Sequence, residues 1–161
     1  MPSPMRGRHG RGYRRAMSSA TEPLLPPRRA GGLSALRRGA GWLHLALALA
    51  IGLGVFLQVY LIGAYIFGAG SDALDAHKSV GFTVHGLEVL LFLVALVAWL
   101  PRADVGLSLL MALLGTTQIA LADAHGWTGG LHPLGALLVL VLASAIARRD
   151  VQRRRTAPRG G

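Results

Sequence analysis

Between Arg38 and Asp72 the chain runs for 33 residues without a full charge, and His44 is its only side chain that titrates near neutrality. A helix needs about 20 apolar residues to cross a hydrocarbon core some 30 Å thick, so this run is long enough to span a bilayer. Three more apolar stretches follow. The predicted spans are 42–67, 80–100, 105–122 and 131–147. Local chemistry sets their ends. Pro101 stops the second span, and Arg102 and Asp104 make a tight turn into the third. His132-Pro133 opens the fourth, with proline in the first turn, where its missing N–H costs nothing. The expected fold is all-α, an integral membrane four-helix bundle.

The chain is 52% hydrophobic and 15% charged, with no cysteine. The lack of cysteine excludes disulfides, thiolate metal sites and thiol catalysis. The net charge of +10 invites a nucleic-acid reading, but its distribution argues against one. Nine arginines precede the first span, Arg102 lies in the second turn and six arginines follow the fourth span. With four crossings these all fall on one side, and Lys78 alone falls opposite, among Asp72, Asp75 and Asp123. The positive-inside rule then places both termini on the cytoplasmic side of the membrane. Residues 1–38 and 150–161 are expected to be disordered basic tails around a transmembrane domain at 39–149. Met5 and Met17 leave the translation start open. The first span exceeds a signal-peptide h-region of about 7–15 residues, so it is expected to be retained. The tails are expected to set topology, with attraction to anionic lipid as the sharper alternative.

Helical angle and depth sort the polar residues inside the spans. His77, Gly81, His85, Glu88 and Ala95 share one stripe of the second span, which suits a helix–helix contact. Glu88 lies roughly 12 Å and His85 roughly 8 Å below the end opposite the arginines. Gln58 and Gln118 come to similar depths, and His77, His125 and His132 fall at the rim of the same end. That half of the bundle is therefore expected to be polar. The arginine half is expected to be aliphatic apart from His44. Gln58, His85, Glu88 and Gln118 are expected to satisfy one another, with no catalytic residue assigned.

These residues also fall into a sequence pattern. Gln58-Val59-Tyr60-Leu61-Ile62-Gly63, His77-Lys78-Ser79-Val80-Gly81, Leu100-Pro101-Arg102, Gln118 and Leu131-His132-Pro133 carry it. The stretch from Trp42 to Arg149 resembles a family of small four-span bacterial membrane proteins defined only as a domain of unknown function. The resemblance implies a fold and a topology, and no activity. Glu88 lies outside the pattern.

Four functions remain in view. The first is an accessory or structural membrane protein whose partners are the lipid bilayer, another membrane protein or a second copy. The second is a b-type haem or electron-transfer bundle, with His77 and His132 as axial ligands and His85 as the alternative. The third is a rim site for a divalent metal formed by His77, His125 and His132. The last is a proton-linked protein using Glu88 and His85. Four short spans without an evident internal repeat make a poor transporter. No hydrolase motif is present.

Overall fold

The computed structural model describes residues 31–156 and is all-helical over that range. It has five helices: α1 (Gly31–Ile66), α2 (Ser71–Val97), α3 (Arg102–Leu121), the single turn α4 (Gly126–Gly129) and α5 (Leu131–Thr156). Four of these segments are long and apolar enough to cross a membrane. Each long helix outruns its apolar stretch at an end. α1 starts at Gly31, inside the stretch expected to be a tail, and α5 continues to Thr156 instead of stopping at 147. α2 begins at Ser71, nine residues ahead of the expected 80. The reason is cooperative: once nucleated, a helix propagates cheaply through Ala, Leu and Arg, so polarity alone does not end it. The remainder of both expected tails lies outside the described residues.

Termination is chemical. At the end of α1, the Ala69 N–H reaches the Ala64 carbonyl and the Gly68 N–H reaches that of Tyr65, a Schellman cap with Gly68 at φ 93. α2 ends with the same cap, in which Leu100 bonds Ala95 and Trp99 bonds Leu96. Here the left-handed position is Trp99, at φ 52, the only non-glycine with positive φ among the described residues. Such a side chain costs roughly 1–2 kcal/mol relative to glycine. Pro101 then stands at the N-cap of α3.

α1 packs on α2 and α5, and α3 packs on the same two, so α1 faces α3 and α2 faces α5 across the bundle. The central layer takes one side chain from each long helix: Ile51, Leu91, Met111 and Ile146, all at most 2% exposed. Many other large apolar side chains point outward, Leu53, Phe56, Tyr60 and Leu113 among them. So large an exposed apolar surface is what lipid-facing helices present and what a water-soluble bundle avoids.

Many of the inward positions fall in register between the two halves. His44, Ala48, Ile51, Val55 and Gln58 of α1 correspond, sixty residues on, to Asp104, Ser108, Met111, Gly115 and Gln118 of α3. His77, Val84, Glu88, Leu91 and Ala95 of α2 correspond, fifty-five residues on, to His132, Val139, Ala143, Ile146 and Asp150 of α5. Of these ten pairs, only Gln58–Gln118 and His77–His132 include a partly exposed member. The bundle is thus two helical hairpins with matching buried faces. The match is one of burial register along the inward faces and not of sequence, as His44 against Asp104 shows.

Candidate functional site

The repeat ends in a pair of matching histidine units, opposite the arginines. In the first hairpin His77 Nδ1 lies 3.1 Å from the backbone carbonyl of Gln58. In the second, His132 Nδ1 lies 3.1 Å from the carbonyl of Gln118. A carbonyl only accepts, so both histidines carry their proton on Nδ1 and donate it. Nε2 is then the nitrogen with a lone pair, and among the described residues no hydrogen bond engages it on either ring. The two rings face each other across the bundle, with centroids 6.3 Å apart and planes inclined at 69°. Fixing one imidazole nitrogen on a carbonyl and freeing the other is the arrangement that orients metal-ligating histidines.

Each unit has a glycine beneath it. The amide of Gln58 fills the space above Gly81, where an added Cβ would sit 2.7 Å from Nε2. The amide of Gln118 packs against Gly135 more tightly still. Both glutamine Oε1 atoms are buried without a hydrogen-bond partner. The two amides therefore did not pair with each other or with Glu88, as the sequence reading expected. Orphaned acceptors of this kind each forfeit about 1–3 kcal/mol. Gly135→Ala is expected to destabilise the bundle by about 1–3 kcal/mol through overpacking. The same change in a Gln118→Ala background should be nearly neutral, and a double-mutant cycle on thermal unfolding in detergent measures the difference.

Glu88 is 2% exposed and lies against Gly115, with His85 Nδ1 3.4 Å from its Oε2. This contact stays within α2, and it does not reach the His77–His132 pair. His85 is a quarter exposed and pairs with neither His125 nor His132. His125 is exposed at the N-cap of α4. Among the described residues no three His, Cys, Asp or Glu side chains gather as a metal site. The three-histidine set His77, His125 and His132 is therefore not assembled; two of the three meet.

The arginine end departs most from the expectation of an aliphatic half. His44, fully buried, lies 2.7 Å through Nδ1 from Asp150 Oδ2 and 2.9 Å through Nε2 from Ser108 Oγ. Arg153 bridges Asp150 and Asp104, and Arg149 Nε donates to Asp104 Oδ1 at 2.5 Å. α1, α3 and α5 are thereby tied together. The chain Ser108–His44–Asp150 has the connectivity of a nucleophile–base–acid triad. Three features make it a polar clamp instead. Ser108 and His44 are both 0% exposed, which leaves no path for a substrate. The Ser108 hydroxyl also reaches the Asp104 carbonyl at 2.9 Å. Finally, Ser108 sits inside α3, where the backbone N–H groups are spent on the helix and cannot stabilise an oxyanion.

The sequence reading missed Asp104, Ser108, Arg149, Asp150 and Arg153. The available signal was their spacing: Asp104 and Ser108 lie four apart on one face, Asp150 and Arg153 three apart, at the depth of His44. Closing the spans at 105 and 147 hid it. Comparison with protein-family profiles, characterised proteins and solved structures gives no match, so the functional reading rests on the histidine and clamp geometry.

Proposed function

We propose that this chain is a multi-pass protein of a bacterial cytoplasmic membrane that holds a b-type haem between His77 and His132 and serves electron transfer. The observation that carries the reading is the facing pair of imidazoles, each anchored through Nδ1 on a glutamine carbonyl and 6.3 Å apart. Two metal–imidazole bonds of about 2.0 Å, with the half-widths of two rings, put the centroids about 6 Å apart. The ligands come from diagonal helices, which leaves a plane between them running along the bundle axis.

The surroundings fit a flat macrocycle. Gly81 and Gly135 flank the pair on its inner side, and the atoms nearest to a Cβ at either position belong to the amides of Gln58 and Gln118. Those amides, already lacking a partner at Oε1, are displaceable at small cost. Bound iron would supply one-electron chemistry, and its potential would follow from axial ligation and burial. The protein's own part is to fix both ring orientations and to exclude water with α1 and α3. A bare divalent ion fits less well, because no third ligand joins the two imidazoles among the described residues.

The topology belongs to the same proposal. Arginine-rich segments at one end and Asp72, Asp75 and Asp123 at the other support termini on the cytoplasmic side. The family resemblance, through His77, Gly81, Gln118 and His132, marks residues that lie together at the histidine end. The test is an absorption spectrum of protein purified under full haem supply. A Soret band that shifts on reduction, with the split visible bands of a low-spin bis-imidazole centre, is the expected result. A featureless visible spectrum sinks the reading.

A further inference from the structure

The arginine end presents two kinds of cation. Arg149 and Arg153 point onto Asp104 and Asp150, the only described acids at that end, both buried. The clamp therefore engages both described acids there from the inside. What remains outward is cationic: Arg37, Arg38, Arg102, Arg148 and Arg155 are exposed, and none pairs with a described acid. The opposite end carries exposed Asp72, Asp75 and Asp123 with Lys78. An anion meeting this bundle is attracted at one end and repelled at the other.

Two tryptophans give that surface a form. Trp42 and Trp99 are 61% and 73% exposed, and both sit where the apolar runs give way to arginine. The Arg154 guanidinium lies 3.8 Å from the Trp42 ring centroid, and that of Arg37 lies 4.9 Å from the Trp99 ring centroid. Arg154 also donates to the Gly41 carbonyl. Stacking places each guanidinium over an indole. Arg37 makes no hydrogen bond to a described residue and keeps its edge donors for a bidentate acceptor, whereas Arg154, with Nε buried and one terminal nitrogen on Gly41, holds Trp42 in place. Trp99 occupies the left-handed cap of α2, where glycine would be unstrained, so its ring is not there to make the turn. Indole rings at this level match the interfacial belt of a bilayer, whose nearest bidentate acceptors are lipid phosphates.

We propose that the arginine end is a binding surface for anionic phospholipid headgroups, organised by the Arg37–Trp99 and Arg154–Trp42 stacks on either side of α1. It rests on the membrane reading and is independent of haem. Charge complementarity selects the lipid class: a zwitterionic headgroup brings its own cation to the surface, and an anionic one does not.

The full chain is reconstituted in phosphatidylcholine vesicles carrying spin-labelled phosphatidylglycerol or spin-labelled phosphatidylcholine. The association of each label with the protein is then compared. The expected preference for phosphatidylglycerol is about threefold or more. It should fall toward one in 1 M salt, where the Debye length is about 3 Å. The variant R37Q/R38Q/R148Q/R155Q removes four outward charges and leaves every buried ion pair intact, so it should insert, keep its helicity and lose the preference. R37Q/R148Q should lose part of it, and K78Q at the opposite end should keep all of it. Equal association of the two lipids with the wild type overturns the proposal, as does an undiminished preference in the quadruple variant. Failure of the wild type to float with the vesicles overturns the membrane reading instead.

Discussion

Replacing His132 with alanine is expected to abolish the low-spin haem spectrum of the purified protein, and His77→Ala should do the same. The two residues occupy matching positions in the two hairpins, and each carries the only free imidazole nitrogen of its unit. Loss of either removes one axial bond and leaves a five-coordinate centre or none. His125→Ala and His85→Ala are the controls. His125 is exposed on the connection before α5, and His85 turns toward Glu88, so both variants should keep the wild-type bands. Optical and magnetic spectra of the four variants under equal haem supply distinguish these outcomes. A bis-imidazole spectrum that survives His132→Ala would place the ligand elsewhere. Glu88→Gln should leave the spectrum unchanged as well, because Glu88 lies against Gly115 and not against either ligand.

The largest loss of stability is expected from Asp150→Leu at the other end. Asp150 is 1% exposed and accepts from both His44 and Arg153. Its removal leaves a fully buried imidazole Nδ1 and a partly buried guanidinium without their acceptor. Breaking a buried pair from one side costs about 3–5 kcal/mol. Arg153 is 30% exposed and keeps Asp104, so the lower part of that range applies. Ser108→Ala removes a neutral partner and should cost only about 1 kcal/mol. Unfolding in a graded mixture of mild detergent and dodecyl sulfate, followed by helicity, ranks the two. If Asp150→Leu unfolds at the same point as Ser108→Ala, the clamp does not hold α1, α3 and α5 together. Spectrum and stability should also separate. Asp150→Leu in its folded fraction should retain the haem bands, because a central layer of Ile51, Leu91, Met111 and Ile146 lies between the two ends. Seven residues of α3 separate Ser108 from Gly115, roughly 10 Å.

The number of helices, their apolar character and the inward placement of Gln118 and Glu88 were legible from spacing alone, since each depends only on local composition and on the 3.6-residue period. His77 and His132 were also legible as a matched pair, because both open a helix at the same end. Their Nδ1 anchors were not. They use the backbone carbonyls of Gln58 and Gln118, and a backbone acceptor carries no signature in sequence. Glu88 was assigned the right helix face and one of its neighbours, His85, while the glutamine amides packed over glycines instead of toward it. The clamp was missed for a different reason. Asp104 and Asp150 are charged, and a charged residue next to an apolar run reads as the end of a span. It becomes an interior residue only when folding supplies its partners: Arg149 and Arg153 of α5 for Asp104, and His44 of α1 together with Arg153 for Asp150.

The sequence by itself determined that four apolar helices form, where proline and glycine interrupt them, and which end carries the cations. These follow from solvation of the chain and from local backbone chemistry. Only the tertiary structure decided that the chain is two hairpins with one burial register, that two imidazoles meet across the axis, and that the acids at the arginine end turn inward. Each of those brings together groups distant in sequence, such as His44 and Asp150, 106 residues apart, or His132 and the Gln118 carbonyl, 14 apart. Such contacts become visible only once helix packing has fixed rotation and depth.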